Sequence, residues 1–117
     1  MQFAPEPKLA SLALGTGRGT ILAEDFFAAT YVRMQRKFDA GDLAGARDEQ
    51  DFKLQASAIL SKYGGAAAER ALYRRFPLMN FDFGPPRLPA RPFGESNWPK
   101  LEAELEAIGF WKQLWQP

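Results

Sequence analysis

Apolar residues recur along this chain at helical spacing, interrupted at short intervals by glycine and proline. From Phe26 to Ala40 the large apolar side chains are Phe27, Tyr31, Met34 and Phe38, the i, i+4, i+7, i+11 progression of one helix face. Gly41 ends that segment, and Asp42 stands where it can cap the next. The second helix is expected to run to about Tyr63, with Phe52, Ala56, Ile59, Leu60 and Tyr63 on one side and Gly64-Gly65 as its stop. A third is predicted from about Ala66 to Phe76 on a stripe of Ala68, Leu72 and Phe76. A fourth begins at Asn97, or at Trp98 with Pro99 in the first helical position. It should bury Trp98, Leu101, Leu105 and Ile108 and close at Gly109, leaving Phe110, Trp111, Leu114 and Trp115 as a terminal apolar patch. A shorter helix is expected over Lys8 to Leu14, between Pro7 and Gly15-Thr16-Gly17.

One stretch has a different character. Thr20-Ile21-Leu22-Ala23 is an apolar run between turn residues, the pattern of a short buried strand, and Glu24-Asp25 supplies an N-cap after it. The chain therefore reads as mainly α with at most one or two short strands. Strand backbone groups need ladder partners. A lone strand offers none, so either this segment is not a strand or its neighbours lie outside these residues.

Gly84-Pro85-Pro86-Arg87-Leu88-Pro89 separates the third helix from the fourth, and four prolines fall between Pro85 and Pro92. Proline fixes φ and withholds a backbone donor, so the pattern predicts an extended strut over 84–92, close to polyproline II. Without a ladder of its own, such a strut must lie across something else.

Composition narrows the chemistry. The 117 residues carry 15 Lys plus Arg against 14 Asp plus Glu, without long runs of one sign, which argues against nucleic acid or an anionic membrane as partner. Cysteine and histidine are both absent. That excludes disulfides, thiolate nucleophiles, Ser-His dyads and the usual zinc ligands. No cofactor or metal is implied. The lack of a membrane-length apolar run and of a basic n-region leads to the expectation of a soluble, cytoplasmic protein.

Three local features invite chemical readings. Gly15-Thr16-Gly17-Arg18-Gly19 has alternating glycines rather than G-x-G-x-x-G spacing, and it follows a helix, so it reads as a connection and not a phosphate loop. Arg70, Arg74 and Arg75 form a basic cluster, expected to be a solvated face paired with Glu69 and nearby acids. Lys8, Lys37, Lys53, Lys62, Lys100 and Lys112 stand among charged or polar residues or in first helical turns. All six are expected at the surface. A Schiff-base amine must instead be desolvated or set beside another cation.

The order of elements carries a family resemblance. A Leu-Ala-Leu-Gly turn, a strand and a helix ending Phe38-Asp39-Ala40-Gly41-Asp42-Leu43 come first. A helix containing Ala46-Arg47-Asp48-Glu49-Gln50, the Gly84-to-Pro89 tract and a helix ending Leu105-Glu106-Ala107-Ile108-Gly109-Phe110 follow. Over nearly its whole length the chain resembles the C-terminal part of the N-acetylneuraminate lyase and dihydrodipicolinate synthase family of pyruvate-dependent aldolases. The resemblance implies the last βα unit of a (β/α)8 barrel over residues 1–41 and a C-terminal helical extension over 42–117. Met1 to Pro7 takes the place of the end of strand seven and the loop after it, Lys8 to Leu14 that of its helix, Thr20 to Ala23 that of strand eight, and Phe26 to Ala40 that of the last barrel helix. A complete barrel needs about 250 residues.

Family chemistry rests on a lysine that forms a Schiff base with pyruvate and on a tyrosine from another strand, both of which would precede Met1. No catalytic residue is therefore expected here. Of the Asp-Glu pair that holds a sugar acid after strand seven, this chain has Pro5-Glu6, so Glu6 alone is carried over as a substrate-binding candidate. Where the family has a Gly-Ser step after strand eight, this chain has Ile21-Leu22, which would fill space a sugar acid needs. The expected partners are the rest of the barrel or further copies of the chain, with pyruvate or a sugar acid bound only by a completed protein. Alone, the chain should expose the Phe27 stripe unless other helices or self-association cover it. Two other readings compete. One is a divergent descendant whose altered pocket no longer handles sugar acids. The other is a helical interaction module using the strut, where Pro86, Pro89 and Arg91 fit a PxxPxR ligand pattern, or the aromatic C-terminus.

Overall fold

The structure, a computed structural model, describes residues 2–3, 8–13, 20–21, 27–75 and 82–114. Its elements are β1 (Gln2–Phe3), α1 (Lys8–Ala13), β2 (Thr20–Ile21), α2 (Ala28–Asp39), α3 (Leu43–Lys62), α4 (Ala66–Leu72), α5 (Trp98–Ala107) and α6 (Phe110–Leu114). Short 3-10 turns occupy Tyr73–Arg75 and Glu95–Asn97. The fold is mainly α. Packing divides it into two compact units, Met1–Gln55 with Gly109–Pro117, and Ala56–Ile108. The boundary expected at residue 41 from the resemblance is of another kind, barrel against extension.

In the first unit β1 and β2 pair in parallel, Gln2 opposite Thr20 and Phe3 opposite Ile21. The strand expected from Thr20 thus finds a partner inside the chain, correcting the expectation that its neighbours lie elsewhere. Parallel neighbours need a crossover of a dozen or more residues, and the segment containing α1 provides it. Leu9 and Leu12 of α1 are buried, and the Leu9 N–H donates to Gln50 Oε1 at 2.8 Å.

Helix α2 starts one residue after Phe27, which occupies the N-cap position without a side-chain cap bond. The cap expected from Glu24-Asp25 falls outside the described residues, and the helix entry is set by burial of Phe27, 1% exposed. At the other end the glycine signal holds. Gly41 adopts φ +79°, its N–H donates to Phe38 O, and the Asp42 N–H donates to Lys37 O, a Schellman closure. Asp42 then caps α3, its Oδ1 accepting the Gly45 N–H at 2.9 Å.

The stripe of α2 is covered from within the chain. Phe27, Phe52 of α3 and Phe110 of α6 have ring centroids 6.2–6.5 Å apart, with Phe27 edge-on to both others. Such contacts add about 0.5–1.5 kcal/mol each beyond area burial. Tyr31, Met34 and Leu114 are also buried, and Phe38 is half-buried.

The second unit contains the end of α3, α4 and α5. Ala56, Leu60, Ala68, Leu72, Leu101 and Leu105 form its core. Gly64, at φ +117°, stops α3 where expected, and the Gly65 N–H donates back to Leu60 O at 2.8 Å. Helix α4 is shorter than the sequence suggests, tightening into a 3-10 turn after Leu72. Phe76 lies outside the described residues. Helix α5 begins at Trp98, after Asn97 at the N-cap, so Pro99 falls in its first turn but one residue past the first helical position expected for it.

The strut is not uniformly extended. The Ala90 N–H donates to Arg87 O at 3.1 Å, closing a turn over Arg87–Ala90, and the Leu88–Pro89 peptide is cis. An internal hydrogen bond is foreign to polyproline II. Proline pre-sets a φ that turns use as readily as extended chain, so proline density alone does not separate the two.

Candidate functional site

Two groups of polar side chains stand out among the described residues, one in each unit. In the second, α4 and the proline segment line a half-open cavity of about 180 Å³. Ala67 and Ala71 form its floor, one helical turn apart, with Arg70 on the same helix and Arg74 in the 3-10 turn that follows it. Pro85, Pro86, Pro92 and Phe93 line it from the strut, and Asp82 and Glu95 complete the rim. The strut therefore does lie across something, namely α4. Phe93 anchors it against Trp98, centroids 4.9 Å apart, whereas Leu88 at the turn is 92% exposed.

In the basic cluster, Arg74 and Arg75 pair with Glu95 and Glu102. Arg74 Nη2 donates to Glu95 Oε1 at 2.6 Å, and Glu95 Oε2 accepts the Trp98 indole N–H at 2.7 Å. The hydrogen bond from Arg74 holds the Glu95 carboxyl below its ordinary value, against partial desolvation. Arg75 lies 4.5 Å over the Trp98 ring and 3.6 Å from Glu102. Arg70 makes one hydrogen bond among the described residues, Nη1 to Phe83 O at 3.4 Å.

The second group joins three helices of the first unit. Glu49 accepts from Arg33 Nε at 3.0 Å through each oxygen and from Lys37 Nζ at 2.8 Å. Arg33 also donates to Gln113 O at 2.8 Å and to Thr30 Oγ1 at 3.3 Å. Lys53 overturns the expectation that all six lysines are solvated. It is 2% exposed, with Nζ 5.5 Å from the Phe27 ring centre. Its depth also keeps a keto acid from its amine. Sequence reasoning missed both buried charges for one reason. Ala46, Glu49, Lys53, Ala56 and Leu60 follow i, i+3, i+7, i+10, i+14, the truly buried face of α3. Residue type hid a spacing that pointed inward.

Glu6, the substrate-binding candidate, lies outside the described residues, as do Pro5, Leu22 and the 15–19 glycine segment. Ile21 is in β2. Phe110 and Leu114 of the terminal aromatic patch are buried and Trp111 is half-buried, while Trp115 is outside the described residues. Among the described residues no cluster of acidic side chains has the grouping of a metal site, and no helix is long and apolar enough to cross a membrane. No family model, no curated protein and no solved structure matches this chain.

Proposed function

We propose that this chain is the C-terminal segment of an N-acetylneuraminate lyase-like, pyruvate-dependent aldolase, contributing the last βα unit of a (β/α)8 barrel and the helical extension after it. The observation that carries this reading is the parallel pairing of Gln2–Phe3 with Thr20–Ile21 on either side of α1. Those are the segments that the resemblance assigns to strands seven and eight. Parallel pairs occur almost only within larger sheets covered by helices. A two-stranded ladder leaves one edge of each strand to be satisfied by further strands.

The chemistry follows from what is missing. Schiff-base capture needs a neutral, accessible amine to attack the ketone, with loss of water. Lys53 is buried out of reach, Lys37 and Lys62 are paired with Glu49 and Glu104, and Lys100 and Lys112 stand exposed rather than in a desolvated pocket. Bond cleavage therefore belongs to a completed barrel, and this segment supplies scaffold.

Borohydride trapping with pyruvate, read by mass spectrometry, tests the reading. The 117-residue chain should retain no adduct, and a chain extended upstream through a lysine-bearing and a tyrosine-bearing strand should retain one. Capture by the short chain, or its absence in the extended protein, overturns the assignment.

The exposed Leu88 at the Arg87–Ala90 turn favours a second reading, an interaction module that presents this tip. The turn interrupts the extended PxxPxR geometry, so an SH3-type groove is not its natural partner. Specific capture of a protein by the chain, lost in Leu88→Asp and kept in a Val32→Asp control, would support it.

A further inference from the structure

The geometry points to the cavity between α4 and the proline segment as a binding site for a small carboxylate with an apolar body, held by Arg70. This inference does not rest on the barrel reading.

Size comes first. About 180 Å³ corresponds to roughly six water volumes, below the 300–1,000 Å³ typical of drug-sized ligands. The part of an occupant that the cavity covers is limited to a few non-hydrogen atoms. The floor at Ala67 and Ala71 is methyl, both residues 5% exposed, and Pro85, Pro86 and Phe93 add ring surface. A fully hydrated inorganic ion gains nothing from such walls; a short branched hydrocarbon does.

Charge decides the other end. Among the described residues four ionisable side chains line the cavity: Arg70, Arg74, Asp82 and Glu95. Glu95 is engaged by Arg74 and by the Trp98 indole, so that acid and that guanidinium satisfy each other. Asp82 Oδ1 accepts the Gly84 N–H at 2.8 Å, which turns the chain into the strut. Arg70 is left as the under-used donor. A guanidinium has five N–H groups in a planar fork suited to a carboxylate, and Arg70 uses one, at the long limit of 3.4 Å, among the described residues. A carboxylate over the Ala67–Ala71 floor would take the remaining fork, and Asp82 would disfavour ligands of higher negative charge.

Isobutyrate is a suitable probe and isobutyramide its neutral isostere. Titration of the full chain, followed by NMR at the Arg70 Nε–H and the Gly84 and Ala71 amides, should give saturable shifts with isobutyrate, on the order of millimolar affinity for so few atoms. Isobutyramide should bind about tenfold more weakly or less well still, as expected for loss of a charge-assisted bond. Arg70→Gln should weaken isobutyrate by a similar factor, and Arg70→Lys should restore part of it. Linear, non-saturating shifts, equal response to the amide, or unchanged affinity in a folded Arg70→Gln protein would each overturn the site. The comparison of acid with amide uses the unaltered chain and reads even if a variant fails to fold.

Discussion

Arg33 on α2 and Glu49 on α3 face each other through Nε and both carboxylate oxygens at 3.0 Å, with side chains only 15% and 9% exposed. At that depth, removing one partner leaves a desolvated charge behind, the costly half of a buried pair. Arg33→Ala should destabilise by about 3 kcal/mol, and Glu49→Gln by a similar amount because both Arg33 and Lys37 lose their counterion. Combining Arg33→Ala with Glu49→Gln should cost less than the two singles summed, with a coupling of about 2 kcal/mol. Urea denaturation of the four proteins measures it. Additive losses would mean the pair is no more than a surface contact.

Lys53 should be chemically silent while the fold is intact. Amine-selective acetylation followed by peptide mapping should modify the exposed Lys62, Lys100 and Lys112 readily. Lys53 at 2% exposure should react on the order of tenfold more slowly or less, since it waits on local opening. Denaturant should erase the difference. Equal labelling in the native protein would contradict the packing of α3 described above.

That lysine also marks the limit of what the sequence discloses. Termini that depend on one residue's backbone were legible. Gly41, Asp42 and Gly64 act where the pattern placed them, because positive φ and a side-chain cap are local requirements. The stripes of α2 and α5 were legible too, since their buried residues are apolar. The inner face of α3 was not, because two of its positions, Glu49 and Lys53, are charged, and what they meet, Arg33 and the Phe27 ring, comes from another part of the chain. The proline segment failed for a different reason, its turn at Arg87–Ala90 being as compatible with proline as a strut. The cavity beside Arg70 depends on how that turn returns the chain to α4, which no local pattern encodes.

Lys62 and Glu104 tie α3 to α5 at 2.5 Å, and their titration fixes a pH window. The hydrogen bond and charge of Lys62 lower the Glu104 carboxyl from its ordinary 4.5, and Glu104 raises the Lys62 ammonium from 10.5. A lowered acid stabilises above its unfolded value and loses that contribution as pH falls through the folded one. A raised base stabilises below 10.5 and loses it as pH climbs past the folded value. The melting temperature should therefore be flat between these limits as far as this pair is concerned, falling on the acid side of about 4.5. Glu104→Gln should flatten the acid limb, and added salt should shrink the difference, because both groups are solvent-accessible. An identical acid limb in the variant would remove the pair from the explanation.

Trp98 is the hub of the second unit. It is 6% exposed, donates its indole N–H to Glu95, carries Arg75 over one face and meets Phe93 edge-on. Trp98→Ala should cost about 3–5 kcal/mol through the cavity it leaves. Trp98→Phe keeps most of the apolar volume but removes the donor to Glu95, so about 1–2 kcal/mol is expected. Chemical denaturation separates the two. A Trp98→Phe loss as large as that of Trp98→Ala would place the stability in the indole hydrogen bond rather than in packing.

The proline segment should respond to substitution at one end and not at the other. Leu88, at 92% exposure, contributes almost no burial, so Leu88→Asp should change stability by less than about 0.5 kcal/mol. Phe93 is half-buried against Trp98, and Phe93→Asp would set a carboxylate beside that ring and close to Glu95, with an expected loss of about 2 kcal/mol. Because the same residue walls the cavity, Phe93→Asp should also weaken isobutyrate binding, whereas Leu88→Asp should leave it unchanged. Denaturation midpoints and ligand titrations on the two variants give four values. Sensitivity at Leu88 in either measurement would mean that the turn packs back onto the fold, and that the exposed tip is not a free surface.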